Sequence, residues 1–371
     1  MKNNKKIVVA SVSARPFVQA AVAAGYEVIA LDAFADRDTG QLASSLHALK
    51  YADGAFDAAE LETALKEIAL QGPLGLVYGS GFEAQPALLA LVEQYMPLIG
   101  NSLRVVRNMK RAVTFFALLD VLNIPRPPVS LQQMQAHELA AGSWLTKKNG
   151  GSGGTHIRRA SADIPLEPGS YYQQEIQGIP VSLLFAADGM NVKEIGFNQQ
   201  WLAPTALMPY RYGGAVSHAE LPQAVRQQLL TAAQKLTSAV GLRGLNSIDA
   251  IMQGESAWVL ELNPRLTATF DLYPAERGQL FELHMQAAAG SLANWPQLSS
   301  RARAHYIVYA PENIKLPESF DWPEWTADIP AAGALIKAGE PVCTVTAEAD
   351  SAEQAVALMA ERVKVLAKAL I

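Results

Sequence analysis

The sequence contains one cysteine, Cys343, in 371 residues. That excludes a disulfide framework and any cysteine-based metal cluster, and it fits a reducing compartment. Cys343 itself reads as a small core residue. Charge is sparse at 18%, the formal net charge is −5, and no basic run stands out, so nothing recommends nucleic acid as a partner. No apolar run approaches the roughly 20 residues that cross a bilayer. The start, "MKNNKKIVVASVSARPF", is basic, but its apolar run from Ile7 to Ala10 is too short for a secretion signal and reads as a first strand. A G-x-G-x-x-G turn is missing, which argues against a nicotinamide cofactor. Six histidines lie scattered without ligand spacing, which argues against zinc. Repeats and low-complexity stretches are missing too. The remaining expectation is a soluble cytoplasmic chain, half of it hydrophobic and long enough for two or three domains.

Residues 5 to 100 alternate between strand and helix patterns. "KKIVVAS", "YEVIALDAF", "LGLVYGS" and "PLIG" read as strands; "PFVQAAVAAG", "DAAELETALKEIALQG" and about 84–95 read as helices. That order implies βαβ units and a mainly parallel sheet, with ligands at the carboxyl ends of its strands. Those ends are "SVSARP" and "YGSGFE", which makes Arg15, Ser80 and Glu83 candidates for facing a substrate. Residues 101–122 read as one helix capped by Asn101 or Ser102 and stopped by "NIPRPPVS". A proline- and tryptophan-rich connector, "LPESFDWPEWTADIP", precedes a strand "EPVCTVTAEA" and a last helix from about 351 to 370.

Two motifs carry chemistry. In "WLTKKNGGSGGTHI" a strand bearing Lys147 runs into four glycines within Gly150 to Gly154, and a second strand begins near Thr155. Without Cβ atoms, backbone N–H groups can converge there on a polyanion, and the lysine adds a point charge for phosphate oxygens. As a plain mobile turn the loop would need no ligand. The second motif, "GLNSIDAIMQGESAWVLELNPR", reads as a hairpin turning at Gly254. With a three-residue loop, 254–256, Asp249 stands opposite Glu261, and Asn263 shares their face; an even loop would send Asp249 to the other face. Two carboxylates and an amide oxygen form an oxygen-only site suited to Mg²⁺ held together with phosphates. A solvated acidic face is the plainer reading, but Ile248, Ala250, Leu260 and Leu262 make both strands otherwise core-like. His156 and Arg158 read as exposed strand positions, while Arg211 in "RYGGAV" and the stretch "FNQQW" could lie beside a substrate.

With these motifs in hand, the chain resembles the ATP-grasp superfamily over most of its length. The stretches "SARP", "LDAFADRDT", "YGSGFE" and "LELNPR" look most like the carboxylate–amine ligase and predicted carboligase branch, which includes tyramine–glutamate-ligase-like enzymes. The resemblance implies a mixed α/β and α+β fold. It would have a Rossmann-like pre-ATP-grasp domain (1–100), a two-lobed ATP-binding core (101–295, with lobes 101–170 and 171–295) and a small C-terminal segment (296–371). By the same resemblance, Lys110 and Lys147 bind phosphates, and Gly150, Gly151, Ser152, Gly153 and Gly154 close over them. Gln173, Gln174, Glu175, Ile176 and Ser182 lie along the adenine. Asp249, Glu261 and Asn263 hold Mg²⁺ (or Mn²⁺), and Arg265 steadies an acyl phosphate. Gln173 and Pro180 stand where relatives often carry an acid, so the nucleoside contacts depart from the pattern.

The implied reaction is an ADP-forming ligation. A small-molecule carboxylate becomes an acyl phosphate, and an amine then displaces phosphate, with no nucleic acid or membrane involved and a homodimer as the suggested assembly. Two alternatives stay open: a carboxylase that activates bicarbonate for a small molecule, and an ATP-binding sensor without turnover. No Met-Lys biotin-carrier motif is present, and the intact Glu261, Asn263 and Arg265 argue against a sensor.

Overall fold

The computed structural model describes residues 5–274, 276–293 and 298–370; the stretch Met1 to Asn4 and the boundary placed at 295–296 lie outside them. The first hundred residues build a five-stranded parallel sheet in the order Ser45–Ala48, Glu27–Asp32, Lys6–Ser11, Leu76–Tyr78, Leu98–Ile99. Lys6–Ser11 sits in the middle and the chain adds strands first to one side of it, then to the other. The order therefore reverses beside it, where a crevice forms at the strand ends. "SVSARP" and "YGSGFE" leave the sheet at that point, and the approach is close: a Cβ on Gly79 would lie 2.5 Å from Ser11 Oγ.

A four-stranded antiparallel sheet follows, ordered Arg158–Arg159, Trp144–Lys148, Ser170–Gln174, Val129–Ser130. The largest sheet has eight strands: Ser256–Asn263, Arg243–Gln253, Ile179–Asp188, Val192–Leu202, Tyr212–Ser217, Ala302–Tyr309, Pro341–Ala349 and Thr326–Ala327. Residues beyond 298 thus extend the same sheet that carries the acidic hairpin.

Side-chain alternation decides what each face of this sheet meets. Val181, Leu183, Phe185, Ile248, Ala250 and Leu262 point one way, into a core shared with helices Ala112–Val121 and Gln223–Val240. Leu184, Ala186 and Leu245 point the other way, onto Phe17 and Val18 of helix Arg15–Ala23 and Leu280 and Phe281 of helix Arg277–Ala288. At the far end Val216, Ala302, Ala304 and Val345 pack under helix Ala352–Leu370.

Three expectations need correction. The stretch 101–122 is two helices, Leu103–Met109 and Ala112–Val121, because Arg111 turns extended and the Asn149 side chain caps the second helix by accepting from Ala112 N at 2.7 Å. Ser102 caps the first helix, accepting from Val105 N, while Asn101 is bonded to Arg243 and Asn246. The strand after the glycine loop starts at Arg158, not near Thr155.

The third correction concerns the hairpin. Its loop is even: Gln253 pairs with Ser256, leaving only Gly254, at φ +58°, and Glu255 in the turn. By itself that would put Asp249 on the wrong face. A β-bulge at Leu260 shifts the register by one, so that Asp249 pairs with Glu261 and Ser247 with Asn263. The expected face is reached by two irregularities that cancel.

Candidate active site

The bulge places Asp249, Glu261 and Asn263 on one face at the end of the large sheet, and Asn263 ties them together. Its Nδ2 donates to Asp249 Oδ2 at 2.8 Å and to Glu261 Oε1 at 3.3 Å. Lys110 arrives from the break between the two helices. Its Nζ donates to Asn263 Oδ1 at 2.6 Å and lies 3.3 Å from Glu261 Oε2. The helix break missed in the sequence therefore turns Lys110, buried to 7% exposure, toward the hairpin. Gln200, two positions from Asn198 and reaching across strand Ile179–Asp188, donates to Asp249 Oδ1 at 3.0 Å.

Burial favours the neutral form of both acids. At Glu261 the nearby charges of Lys110 and Lys147 outweigh it and hold the carboxyl below the ordinary range, although 32% of the side chain is solvent-accessible. At Asp249, burial and the facing Glu261 charge act in the same direction and push the carboxyl up. Two acids this close repel unless a cation or a proton intervenes.

Lys147 is buried, and burial and Lys110 together lower its pKa against the pull of Glu261 and Asp249. It donates to Gln173 Oε1 at 3.2 Å, and the Gln173 Nε2 is buried with no protein partner. Beyond Gln173 the chain leaves strand Ser170–Gln174 through Gln174, Glu175 and Ile176, where Glu175 accepts from the Tyr210 hydroxyl at 2.7 Å. Ser182 is fully buried between Asp249 and Asn198 in register, and its Oγ accepts from Asn198 Nδ2 at 3.3 Å.

The glycine loop is seated between two other parts of the molecule. Gly150 and Gly154 both have positive φ, +69°. A Cβ on Gly150 would stand 2.1 Å from Glu83 O, and one on Gly154 would stand 1.9 Å from Tyr210 O. Only glycine satisfies both the dihedral and the space. Gly151 has the ring of His156 where a side chain would go. This corrects the reading of His156 as an exposed strand residue: its Nδ1 is buried without a partner, and burial and Lys147 push its pKa down to about 4. Arg158 is exposed, as expected, and donates to Thr155 O and Ile157 O. Ser152 is within hydrogen-bonding reach of the Tyr51 hydroxyl.

Arg265 is buried and its Nε donates to Glu83, while Nη1 donates to Leu266 O at 2.8 Å. Glu83 also accepts from the backbone of Gly81 and Phe82. Burial would raise its pKa, but Arg265 and Lys110 outweigh it and keep it low. Ser80 lies 3.4 Å from Ser11, hydroxyl to hydroxyl. Arg15 stands apart from this group, all of its donors bonded to Gln19, Asp271 and Asp328. Arg211 donates to Ala203 O and Gly339 O and stacks 3.6 Å from the Tyr309 ring centroid. Tyr51, Tyr210 and Asp271 gave no signal in the sequence, whereas Gln200 lay in the polar "FNQQW" run.

Comparison with known proteins identifies the fold. Residues 110–269, from Lys110 to just past Arg265, match the ATP-grasp domain. The biotin carboxylase domain of Hydrogenobacter thermophilus 2-oxoglutarate carboxylase, solved with MgADP, ADP and bicarbonate, superposes with a TM-score of 0.74 at 14% identity, over 96% of this chain and 88% of that one. The L-amino acid ligase of Bacillus licheniformis superposes with a TM-score of 0.70 at 14% identity, over 97% of both chains. In sequence, the large chain of carbamoyl phosphate synthase from Pseudomonas aeruginosa is 21% identical over 235 residues, which is 58% of this chain; the match spans only 22% of that relative's length. The chain has the ATP-grasp fold. Among the described residues, no helix is long and apolar enough to cross a membrane.

Proposed function

We propose that the protein is an ATP-dependent, ADP-forming ligase that joins a small-molecule carboxylate to an amine. The observation that carries this reading is the convergence of Lys110, Asp249, Glu261 and Asn263 at the sheet end, with the charge of Lys147 acting on Glu261 from another strand and Arg265 two residues beyond Asn263. In this proposal the chain divides as the sequence suggested, with the core between about 101 and 295 gripping the nucleotide.

The residues fit Mg-ATP. The unpaired Gln173 Nε2 offers a buried donor to the nucleobase, and the Gly150–Gly154 stretch keeps open a cradle that a Cβ at 150 or 154 would fill. Among the described residues, no set of three or more His, Cys, Asp and Glu gathers to hold a metal alone. Asp249 and Glu261, with Asn263 once its Oδ1 leaves Lys110, would hold a cation together with phosphate and water, the habit of Mg²⁺. When bound, it neutralises charge developing on the transferred phosphoryl group.

The protein's part is positioning and electrostatics. The substrate carboxylate attacks the γ-phosphorus, the bond to the ADP oxygen breaks, and an acyl phosphate forms. The amine then adds to the acyl carbon, phosphate leaves, and the amine loses a proton. Lys110 and Lys147 bring positive charge to the phosphate oxygens, and Arg265, oriented by Glu83, turns its remaining guanidinium N–H groups to the acyl phosphate. The glycine loop shields this compound from water. The test is ADP and phosphate release from Mg-ATP with pooled carboxylates and amines: release that needs both supports a ligase, and release that needs bicarbonate instead points to a carboxylase.

A further inference from the structure

Resting on the ligase reading, we propose that Arg303 and His305 form a pocket for an anionic group, carboxylate or phosphate, carried by the substrate at the end remote from its reacting carboxyl.

The register puts this pocket on the catalytic face. Asp249 lies opposite Ser182, Ser182 opposite Asn198, and Asn198 opposite Ser217; on the next strand His305 lies opposite Ala215. Directly opposed residues share a face. Arg303 and His305, two apart on Ala302–Tyr309, therefore point to the side that carries the carboxylates, while Ala304 points into the opposite core. Four strand spacings of about 4.8 Å separate the two ends, roughly 19 Å. Tyr212 bridges the gap. Its hydroxyl is 2.8 Å from His305 Nε2, and both Asp249 and Asp271 lie close enough to add to the rise that burial imposes on its pKa.

The acidic groups nearby are already engaged. Asp271 is taken on both oxygens, at 2.7 Å by Arg15 and at 2.9 Å by Arg277, and Asp328 is taken by Arg15 and Ser13. Glu348, opposite Arg303 in register, pairs instead with Arg301 at 2.8 Å. Asp36 caps its own helix at Thr39. Among the described residues the Arg303 guanidinium meets no acceptor, and its Nε is buried. His305 is 3% exposed with Nδ1 unpartnered, and the Arg277 Nε is likewise buried and unpaired. When the Tyr212 hydroxyl donates to Nε2, Nδ1 carries the ring proton, so all three orphans are donors. Buried donors left without acceptors are costly, and these three, all within the field of the already paired Asp271, match one missing anion. The planar fork of Arg303 suits the two oxygens of a carboxylate or phosphate.

The experiment uses matched probes on the full chain with Mg-ADP present: butanol against butyrate, and glycerol against glycerol phosphate, each titrated calorimetrically. Wild type should prefer the member with the extra anionic group. Arg303→Met should lose that preference by about 10- to 100-fold, Arg303→Lys should keep part of it, and Mg-ADP affinity should stay unchanged in both, which reports an intact fold. His305→Gln gives a second reading of the same pocket and should weaken the preference less. Equal binding within each pair, no binding of any probe, or a preference that survives in Arg303→Met overturns the inference. Mg-ATP turnover is scored separately: an intact anion preference without turnover would sink the ligase reading and leave the pocket standing.

Discussion

Arg265 and Glu83 are 182 positions apart and form a buried ion pair, joining the last turn of the acidic hairpin to the loop that leaves the parallel sheet. The pair fixes the guanidinium where the hairpin ends, and Lys110 adds to the field that keeps Glu83 ionised. Glu83 is thus a positioning residue, and its removal strands a buried cation. Glu83→Gln should cost about 3–5 kcal/mol of stability, and Glu83→Gln with Arg265→Met distinctly less. Urea unfolding of the two variants checks this, and a single variant as stable as wild type would contradict it.

Arg265 is expected to act mainly after ATP has bound. Arg265→Lys keeps the charge but loses the planar fork. Turnover should fall by 10-fold or more, with ATP affinity changing by less than about threefold. Equal losses in both would move Arg265 from the acyl phosphate to ground-state nucleotide binding.

The loop glycines should not be equivalent. Alanine at Gly150 or Gly154 meets backbone at about 2 Å, whereas alanine at Gly153 meets open space and bears only the strain of φ +63°. Gly153→Ala should therefore cost about 1–2 kcal/mol of loop strain, and Gly150→Ala and Gly154→Ala should cut Mg-ATP turnover far more. Steady-state kinetics on the three variants, ranked, decide the point.

The hairpin shows most clearly which structural features local sequence encodes. Alternation put Asp249, Glu261 and Asn263 on one face, as found, but only because a β-bulge at Leu260 cancels the even loop; no local signal marks that bulge. The parallel sheet of the first hundred residues was legible from its alternating pattern, since each element declares itself locally. The break at Lys110 was not, because the side chain that caps the next helix, Asn149, lies 37 positions away. His156 escaped for the same reason: the space it fills is defined by a missing side chain at Gly151. Arg303 and His305 share a strand face in plain sequence, yet nothing local says that their neighbours are already paired.

Buried neutral histidines should set the acid limb of stability. His284 accepts from Leu245 N through Nδ1 and meets Ile99 O through Nε2, both at 3.0 Å, and burial lowers its pKa to about 4. A lowered histidine pKa means that the unfolded chain takes up the proton first. Its contribution is complete above the unfolded value near 6.5 and is lost as pH falls from there toward 4. His305 and His156 behave alike. Unfolding free energy measured from pH 7 to pH 4 should decline in wild type, by up to about 3 kcal/mol for each such histidine, and more shallowly in His284→Gln. Parallel curves would contradict the assignment.

ADP release from Mg-ATP with pooled amino acids, polyamines and aromatic amines, wild type beside Glu261→Gln, separates a ligase from its alternatives. A ligase releases ADP only when both a carboxylate and an amine are present, and Glu261→Gln should bring that release to background. Tight Mg-ATP binding with no release under any pool, or release that the variant leaves unchanged, would contradict the ligase reading.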